Sequence, residues 1–214
     1  MRSTTSWSEK NIVTEHGYDK VVQLPQMDRI ASYIKAIPEE EINLLDVGAG
    51  NGRFALSLKK TNKEYNYLGL DCNAELIKIG NNYFNTFGNV NLELCDINLL
   101  ESFEKYTNRI FLFESTLTML RDPLKTLELA TKVSNIIFLS RIHFKATGKN
   151  SCKKNSWLGM SEPSYNWSLS LDSVQGINSE WQVLEIEPRW TKEAWNLYCF
   201  VKKGYLPQKW EIYL

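Results

Sequence analysis

Apolar residues along the chain keep two different rhythms, and the switches between them mark out its elements. Met27, Ile30, Ile34 and Ile37 recur at helical spacing and predict an amphipathic helix that stops before Pro38. The Glu39-Glu40-Glu41 run after it reads as a solvated turn. Ile42 to Val47 is short and mostly apolar, as a buried strand is, and ends in a glycine-dense turn. A helix is expected to open near Asn51 and run to about Lys60.

The alternation then repeats. Tyr67 to Asp71, Leu92 to Ile97, Arg109 to Phe113 and Asn135 to Leu139 each have the length of one buried strand. Between them, Asn73 can cap a helix whose apolar face is Leu76, Ile77, Ile79 or Gly80, and Phe84. Asp122-Pro123 supplies a cap and a first-position proline for a helix through Val133. The first 25 residues are polar with aromatic anchors and read as irregular or short helix. After Phe144 the pattern breaks. Residues 145–173 are polar, hold Gly148, Gly159 and Pro163, lack a clear period, and are expected to form a long functional loop. Trp181 to Ile186 and Leu197 to Val201 return to strand.

Strands alternating with helices through short loops predict an α/β fold, a doubly wound and mostly parallel sheet with helices on both faces. In such sheets ligands bind beyond the carboxyl ends of the strands. The turn Gly48-Ala49-Gly50-Asn51-Gly52 stands at one such end. Its spacing decides between ligands. The dinucleotide pattern G-x-G-x-x-G would need a third glycine where Arg53 stands, and no Gly-Lys-Ser/Thr follows to make a P-loop. Asp71, about 20 positions past the glycines, ends the next strand where a carboxylate reaches ribose hydroxyls.

Asp46 before Gly48-Ala49-Gly50-Asn51-Gly52, then Asp71 and Asp96 at two further strand ends, resembles the class I S-adenosylmethionine (SAM)-dependent methyltransferases over about residues 44–144. The resemblance implies SAM as cofactor, S-adenosylhomocysteine (SAH) as product, and a seven-stranded sheet whose last strand runs antiparallel. It also implies contact between Asp96 and the adenine amino group. The cofactor set expected on this basis is Asp46, Gly48, Ala49, Gly50, Asn51, Gly52, Asp71, Cys72, Asp96, Ile97 and Glu114. The whole chain, 1–214, is then one domain, with 1–40 a helical cap and 145–173 a substrate-side insertion.

Composition narrows the partners. At 214 residues the length suits one domain with a real core. Lysine plus arginine equal aspartate plus glutamate at 25 each, so no global charge favours nucleic acid or an anionic membrane. Met1 to Trp7 has no apolar signal core, and no apolar run approaches a membrane span. Four scattered cysteines and two histidines argue against a metal site or disulfide framework, and a reducing cytoplasm fits. Cys72 and Cys95 should sit at neighbouring strand ends, as small wall residues or as a redox-sensitive pair.

Candidates for chemistry cluster at the same sheet edge. Glu114 ends the fourth strand, and Arg141 and His143 alternate at the end of the fifth, which would place both on one face. His143 suits a general base and Arg141 an anionic substrate group, while His143 as a structural histidine stays open. Trp7, His16 and Tyr18 belong to the segment that folds over the cofactor in similar enzymes, and Trp157, Tyr165 and Trp167 are candidates to line an acceptor pocket. For each of these aromatics, plain packing is the alternative.

Glu114-Ser115-Thr116-Leu117 stands where nucleobase amino methyltransferases carry Asn/Asp-Pro-Pro-Tyr/Phe. Nucleic acid is therefore not expected as acceptor, which leaves a small-molecule or glycan-like one with oxygen as the expected nucleophile. A SAM-binding partner or sensor without an acceptor, and a nucleotide-dependent oxidoreductase, are the competing readings.

Overall fold

A computed structural model describes residues 19–101, 103–107, 109–142, 144–145, 148–155, 164–187 and 196–205. Helix α1 (Pro25–Lys35) precedes strand β1 (Glu41–Val47), helix α2 (Phe54–Leu58), strand β2 (Glu64–Asp71) and helix α3 (Ala74–Tyr83). Strands β3 (Val90–Leu94) and β4 (Ile110–Glu114), helix α4 (Pro123–Thr131) and strand β5 (Ile136–Ile142) follow. A hairpin β6 (Ser151–Asn155) and β7 (Ser164–Ser168), helix α5 (Leu171–Gln175), and strands β8 (Trp181–Glu187) and β9 (Asn196–Lys202) complete the order.

Seven strands make one sheet in the order β3-β2-β1-β4-β5-β9-β8, parallel from β3 to β5, with β9 antiparallel between β5 and β8 and β8 running with the rest. Strand order reverses beside β1, whose neighbours are β2 and β4, so the glycine turn lies at the switch point where such sheets open a crevice. This is the class I methyltransferase fold.

Alternation along the strands assigns each face its own core. Leu44, Tyr67, Leu92, Leu112 and Phe138 pack with Ile30, Phe54 and Ile77, from α1, α2 and α3. Leu45, Leu68, Phe111, Phe113 and Leu139 pack on the other face with Leu127 and Ala130 of α4 and Val174 of α5. Met27, Ile30, Ile34 and Ile37 are all buried, as their spacing predicts. Of the alternatives on α3, Gly80 is the buried position, because a Cβ there would lie 2.1 Å from Leu92 Cδ1 and 2.6 Å from the Asn51 carbonyl oxygen.

Two expectations are corrected. The helix after the glycine turn begins at Phe54, three residues later than expected, because Gly52 holds φ +75° and cannot be helical. Residues 145–173 are not an irregular loop throughout: they hold the β6–β7 hairpin and the start of α5. Their core attachment is sparse, which is why no apolar period announces it. Trp167 packs on the second core, and its Nε1–H donates to the Leu120 carbonyl at 2.9 Å.

Candidate functional site

At the carboxyl edge of the sheet, β1 passes into a turn pinned to β2. The N–H groups of Gly48 and Ala49 both donate to the Leu70 carbonyl, at 2.8 and 3.0 Å. Gly48 (φ +78°) and Gly50 (φ +59°) carry the chain through left-handed conformations that a side chain would oppose. The turn brings Gly50 N–H to Asp71 Oδ2 at 2.8 Å, while Asp71 Oδ1 accepts from Asn73 N–H at 2.8 Å. The carboxylate ending β2 is therefore held rigidly against the turn, and each oxygen keeps capacity for a further donor. Burial raises the Asp71 pKa, opposed by its bonds from the backbone of Asn73, Gly50 and Cys72. Asn51 is buried and its Nδ2 donates to the Lys20 carbonyl at 3.0 Å, which ties the N-terminal segment to the turn.

Beneath the turn, Asp46 is 3% exposed. Tyr67 Oη donates to its Oδ2 at 2.6 Å, and Oδ1 has no partner among the described residues. Burial pushes the Asp46 carboxyl up to about 7; the Tyr67 bond opposes this, and the nearby Glu114 and Asp71 charges add to it.

Glu114 ends β4 with its Oε1 3.5 Å from Arg141 Nη1 of β5. Burial raises its pKa against the pull of Arg141 and of Arg53. Ser115 and Arg141 both hold left-handed backbone, φ +60° and +57°, and Ser115 N–H donates to the Ser140 carbonyl at 3.0 Å. The pairing of β5 with β9 shifts register between Ser140 and Ile142. Arg141 sits in that bulge and reaches Glu114.

The structure gathers Asp46, Gly48, Ala49, Gly50, Asn51, Gly52, Asp71 and Glu114 around one sheet edge. Cys72 and Cys95, both half-buried, do lie at neighbouring strand ends, since Cys95 N–H donates to the Asp71 carbonyl at 2.8 Å. Burial raises the Cys95 thiol pKa.

Other expectations need adjustment. Gly48 and Gly52 serve packing as well as ligand approach: a Cβ on Gly48 would lie 2.1 Å from Thr116 Oγ1, and one on Gly52 2.9 Å from Leu92 Cδ2. Asp96 stands two residues past the end of β3 and caps a short 3₁₀ turn, Ile97–Leu99, through Oδ1 to Asn98 N–H and Nδ2, both at 3.0 Å. Ile97, in that turn, is half-buried against the second core.

Tyr165 and Trp167 share one face of β7. Trp167 is anchored to the segment after β4, and the Tyr165 ring centroid lies 5.7 Å from Lys154 Nζ. Trp7, His16, Tyr18, His143 and Trp157 lie outside the described residues. Sequence reasoning missed Tyr67 and Thr116. Strand alternation places Tyr67 on the face that carries Asp46, a usable signal; nothing in the sequence marks Thr116. Among the described residues, no group of three or more His, Cys, Asp or Glu side chains is placed to hold a metal ion, and no helix is long and apolar enough to cross a membrane.

Residues 38–186 match the family model described as Methyltransferase domain, and the chain belongs to that family. Its fold is the class I methyltransferase fold, shared with solved methyltransferases that hold SAM or SAH. A tRNA (guanine-N(7)-)-methyltransferase of Prochlorococcus marinus (strain MIT 9215) is 34% identical over 83 residues, covering 34% of this chain and 39% of that protein. The chain thus spans about two-fifths of the length of that curated relative.

Two solved structures share the fold. The N-terminal domain of EvdMO1 with SAH bound has a TM-score of 0.65 at 20% identity, covering 88% of this chain and 84% of that one. Magnesium protoporphyrin IX methyltransferase from Synechocystis PCC 6803 with bound SAM has a TM-score of 0.65 at 9% identity, covering 92% and 93%.

Proposed function

We propose that this methyltransferase acts on a small-molecule or glycan-like acceptor, at oxygen, by in-line displacement. One observation carries the siting of the chemistry: the Asp71 carboxylate is fixed by Gly50 N–H at 2.8 Å at the mouth of the switch-point turn. Its unused acceptor capacity fits a pair of ribose hydroxyls.

Residues Gly48, Ala49, Gly50, Asn51 and Gly52 would hold the cofactor along main chain, Cys72, Asp96 and Ile97 would flank its base, and Asp46 and Glu114 would stand beneath it. SAM, when bound, supplies a sulfonium whose methyl group is already activated. The protein's share is then orientation, which in the best intramolecular cases lowers a barrier by roughly 7–11 kcal/mol. Glu114 and His143 are the candidate bases for an acceptor hydroxyl that must lose its proton. Arg141, His143, Tyr18, Trp157, Tyr165 and Trp167 are the candidate acceptor contacts. Arg141's contact with Glu114 and the bond of Trp167 to the Leu120 carbonyl support this choice for those two residues.

The single-domain organisation, with 1–40 as cap and 145–173 as acceptor-side insertion, belongs to the same proposal, as does a cytoplasmic setting. Zero net charge and the absence of a nucleobase-amino motif after β4 favour a small acceptor over nucleic acid. The similarity to a tRNA methyltransferase favours a second reading, a guanine in RNA.

Incubation with labelled SAM and separate pools of small metabolites and of RNA tests the choice. Label in a small hydroxylated product is the expected result. Label in RNA alone would replace the first reading by the second.

A further inference from the structure

Two carboxylates at this sheet edge keep acceptor capacity that the described chain does not use. Asp71 holds both oxygens against backbone N–H groups at the mouth of the turn and has room for further donors. Asp46 lies deeper, and its Oδ1 has no partner among the described residues. A buried acceptor without a donor costs about 1–3 kcal/mol, so a fold that keeps one points to a donor from outside it.

Tyr67 decides how the Asp46 carboxyl is turned. Its hydroxyl donates to Oδ2 at 2.6 Å, and its side chain is buried. Gly69, directly across from Asp46 in the β1–β2 register, makes room for this. A Cβ on Gly69 would lie 3.1 Å from Tyr67 Cε1 and 2.7 Å from the Ala49 Cβ. The tyrosine ring and the glycine turn therefore close on one notch, with Asp46 beside it. On its other side Asp46 is paired with Leu112 of β4, whose side chain has no donor. Burial and the neighbouring Asp46 charge raise the Tyr67 hydroxyl well above its usual range, so it stays a donor.

The donors on SAM and SAH are few: the ribose hydroxyls, the adenine amino group and the ammonium of the amino-acid end. Only the ammonium carries charge, and a charge-assisted bond is the one that best offsets the burial of a carboxylate. We infer that Tyr67 is a positioning residue of the cofactor site: by holding Asp46 Oδ2 it leaves Oδ1 as the acceptor for that ammonium. This rests on the reading of the turn as the cofactor's seat, and adds to it a residue that the glycine motif does not contain.

The ionised carboxylate is the form that attracts a cation, and the surroundings of Asp46 act on it unequally. Burial opposes ionisation most, the Tyr67 bond favours it, and the charges of Glu114 on β4 and Asp71 on β2 oppose it. Arg53, just before α2, acts on Glu114. Affinity for the amino-acid end should then rise with pH as Asp46 loses its proton near 7.

Calorimetric titration of the full chain with SAH and with 5′-methylthioadenosine, which keeps the adenosine and the sulfur but lacks the amino-acid end, tests the inference. At neutral pH, Tyr67→Phe should weaken SAH at least fivefold and change 5′-methylthioadenosine by less than twofold. It should also move the rise of SAH affinity to higher pH. Asp46→Asn, which keeps the shape of the side chain, should weaken SAH at least tenfold and abolish that rise. Equal losses for both ligands in Tyr67→Phe would mark a purely structural role and overturn the inference. SAH affinity within twofold of wild type, or a pH profile that neither variant alters, would overturn it as well. Binding of neither ligand by the wild type would instead overturn the cofactor's seat, a failure distinct from lost discrimination between the two ligands.

Discussion

The Tyr67 hydroxyl donates to Asp46 Oδ2 across 2.6 Å on the face of the sheet beneath the glycine turn, with both side chains almost fully buried. A carboxyl this deep, with Glu114 and Asp71 nearby, gives up its proton reluctantly, at about 7 against an ordinary 3.8. The folded chain then binds a proton that the unfolded chain has released. The contribution of this group is greatest below about pH 4 and falls as pH rises towards 7, by about 1.4 kcal/mol per pH unit. Asp71 and Glu114, whose pKa values burial also raises, push in the same direction. Urea unfolding between pH 4 and 8 should record this slope, and Asp46→Asn should flatten it. An unchanged slope in that variant would assign the effect to other groups.

Tyr67→Phe should cost about 1 kcal/mol for the lost hydrogen bond. It also removes the interaction that lowers the Asp46 pKa, so the pH-dependent fall should extend to higher pH. Denaturant midpoints of the single variant measured at two pH values check both effects.

Gly48 and Thr116 form a steric pair across the β1–β4 gap. Gly48→Ala would place its Cβ 2.1 Å from Thr116 Oγ1 at a φ of +78°. A loss of roughly 1–3 kcal/mol is expected from the backbone and overpacking effects together. Removing the Thr116 side chain in that background should recover about 1 kcal/mol, a coupling that a double-mutant cycle measures directly. Independent, additive effects would contradict the contact.

Ser115 tests the cost of the strained strand ends. At φ +60°, Ser115→Gly should be neutral or stabilise by up to about 1 kcal/mol, whereas Ser115→Val should destabilise by about 2 kcal/mol, because a branched Cβ fits this region least well. Thermal unfolding of the two variants separates the backbone effect from any loss of the side chain.

The parts of the site that lie on regular strands could be read from the chain. Asp71 is legible because a short apolar run ends on it at a fixed distance from the glycines, and β1, β2, β4 and β5 fall within a few residues of where the apolar runs place them. What escaped is long-range or conformational. The contact of Thr116 with Gly48 depends on how β4 ends, and the left-handed turns at Ser115 and Arg141 occur at residues with no glycine to announce them. The β5–β9 bulge between Ser140 and Ile142 is likewise a matter of strand pairing that no residue in the chain announces. That Asp96 also caps the Ile97–Leu99 turn, by accepting from Asn98 N–H, depends on local geometry that many aspartates satisfy. The β6–β7 hairpin is held mainly by backbone pairing and one tryptophan, which leaves no apolar period to detect.

The most direct test is calorimetric titration of SAH into wild type and Asp71→Ala at neutral pH. Firm binding by the first and loss of at least a hundredfold in affinity by the second, with the fold intact by circular dichroism, is the expected result. Wild-type affinity retained by Asp71→Ala would contradict the assignment of this sheet edge as the cofactor's seat.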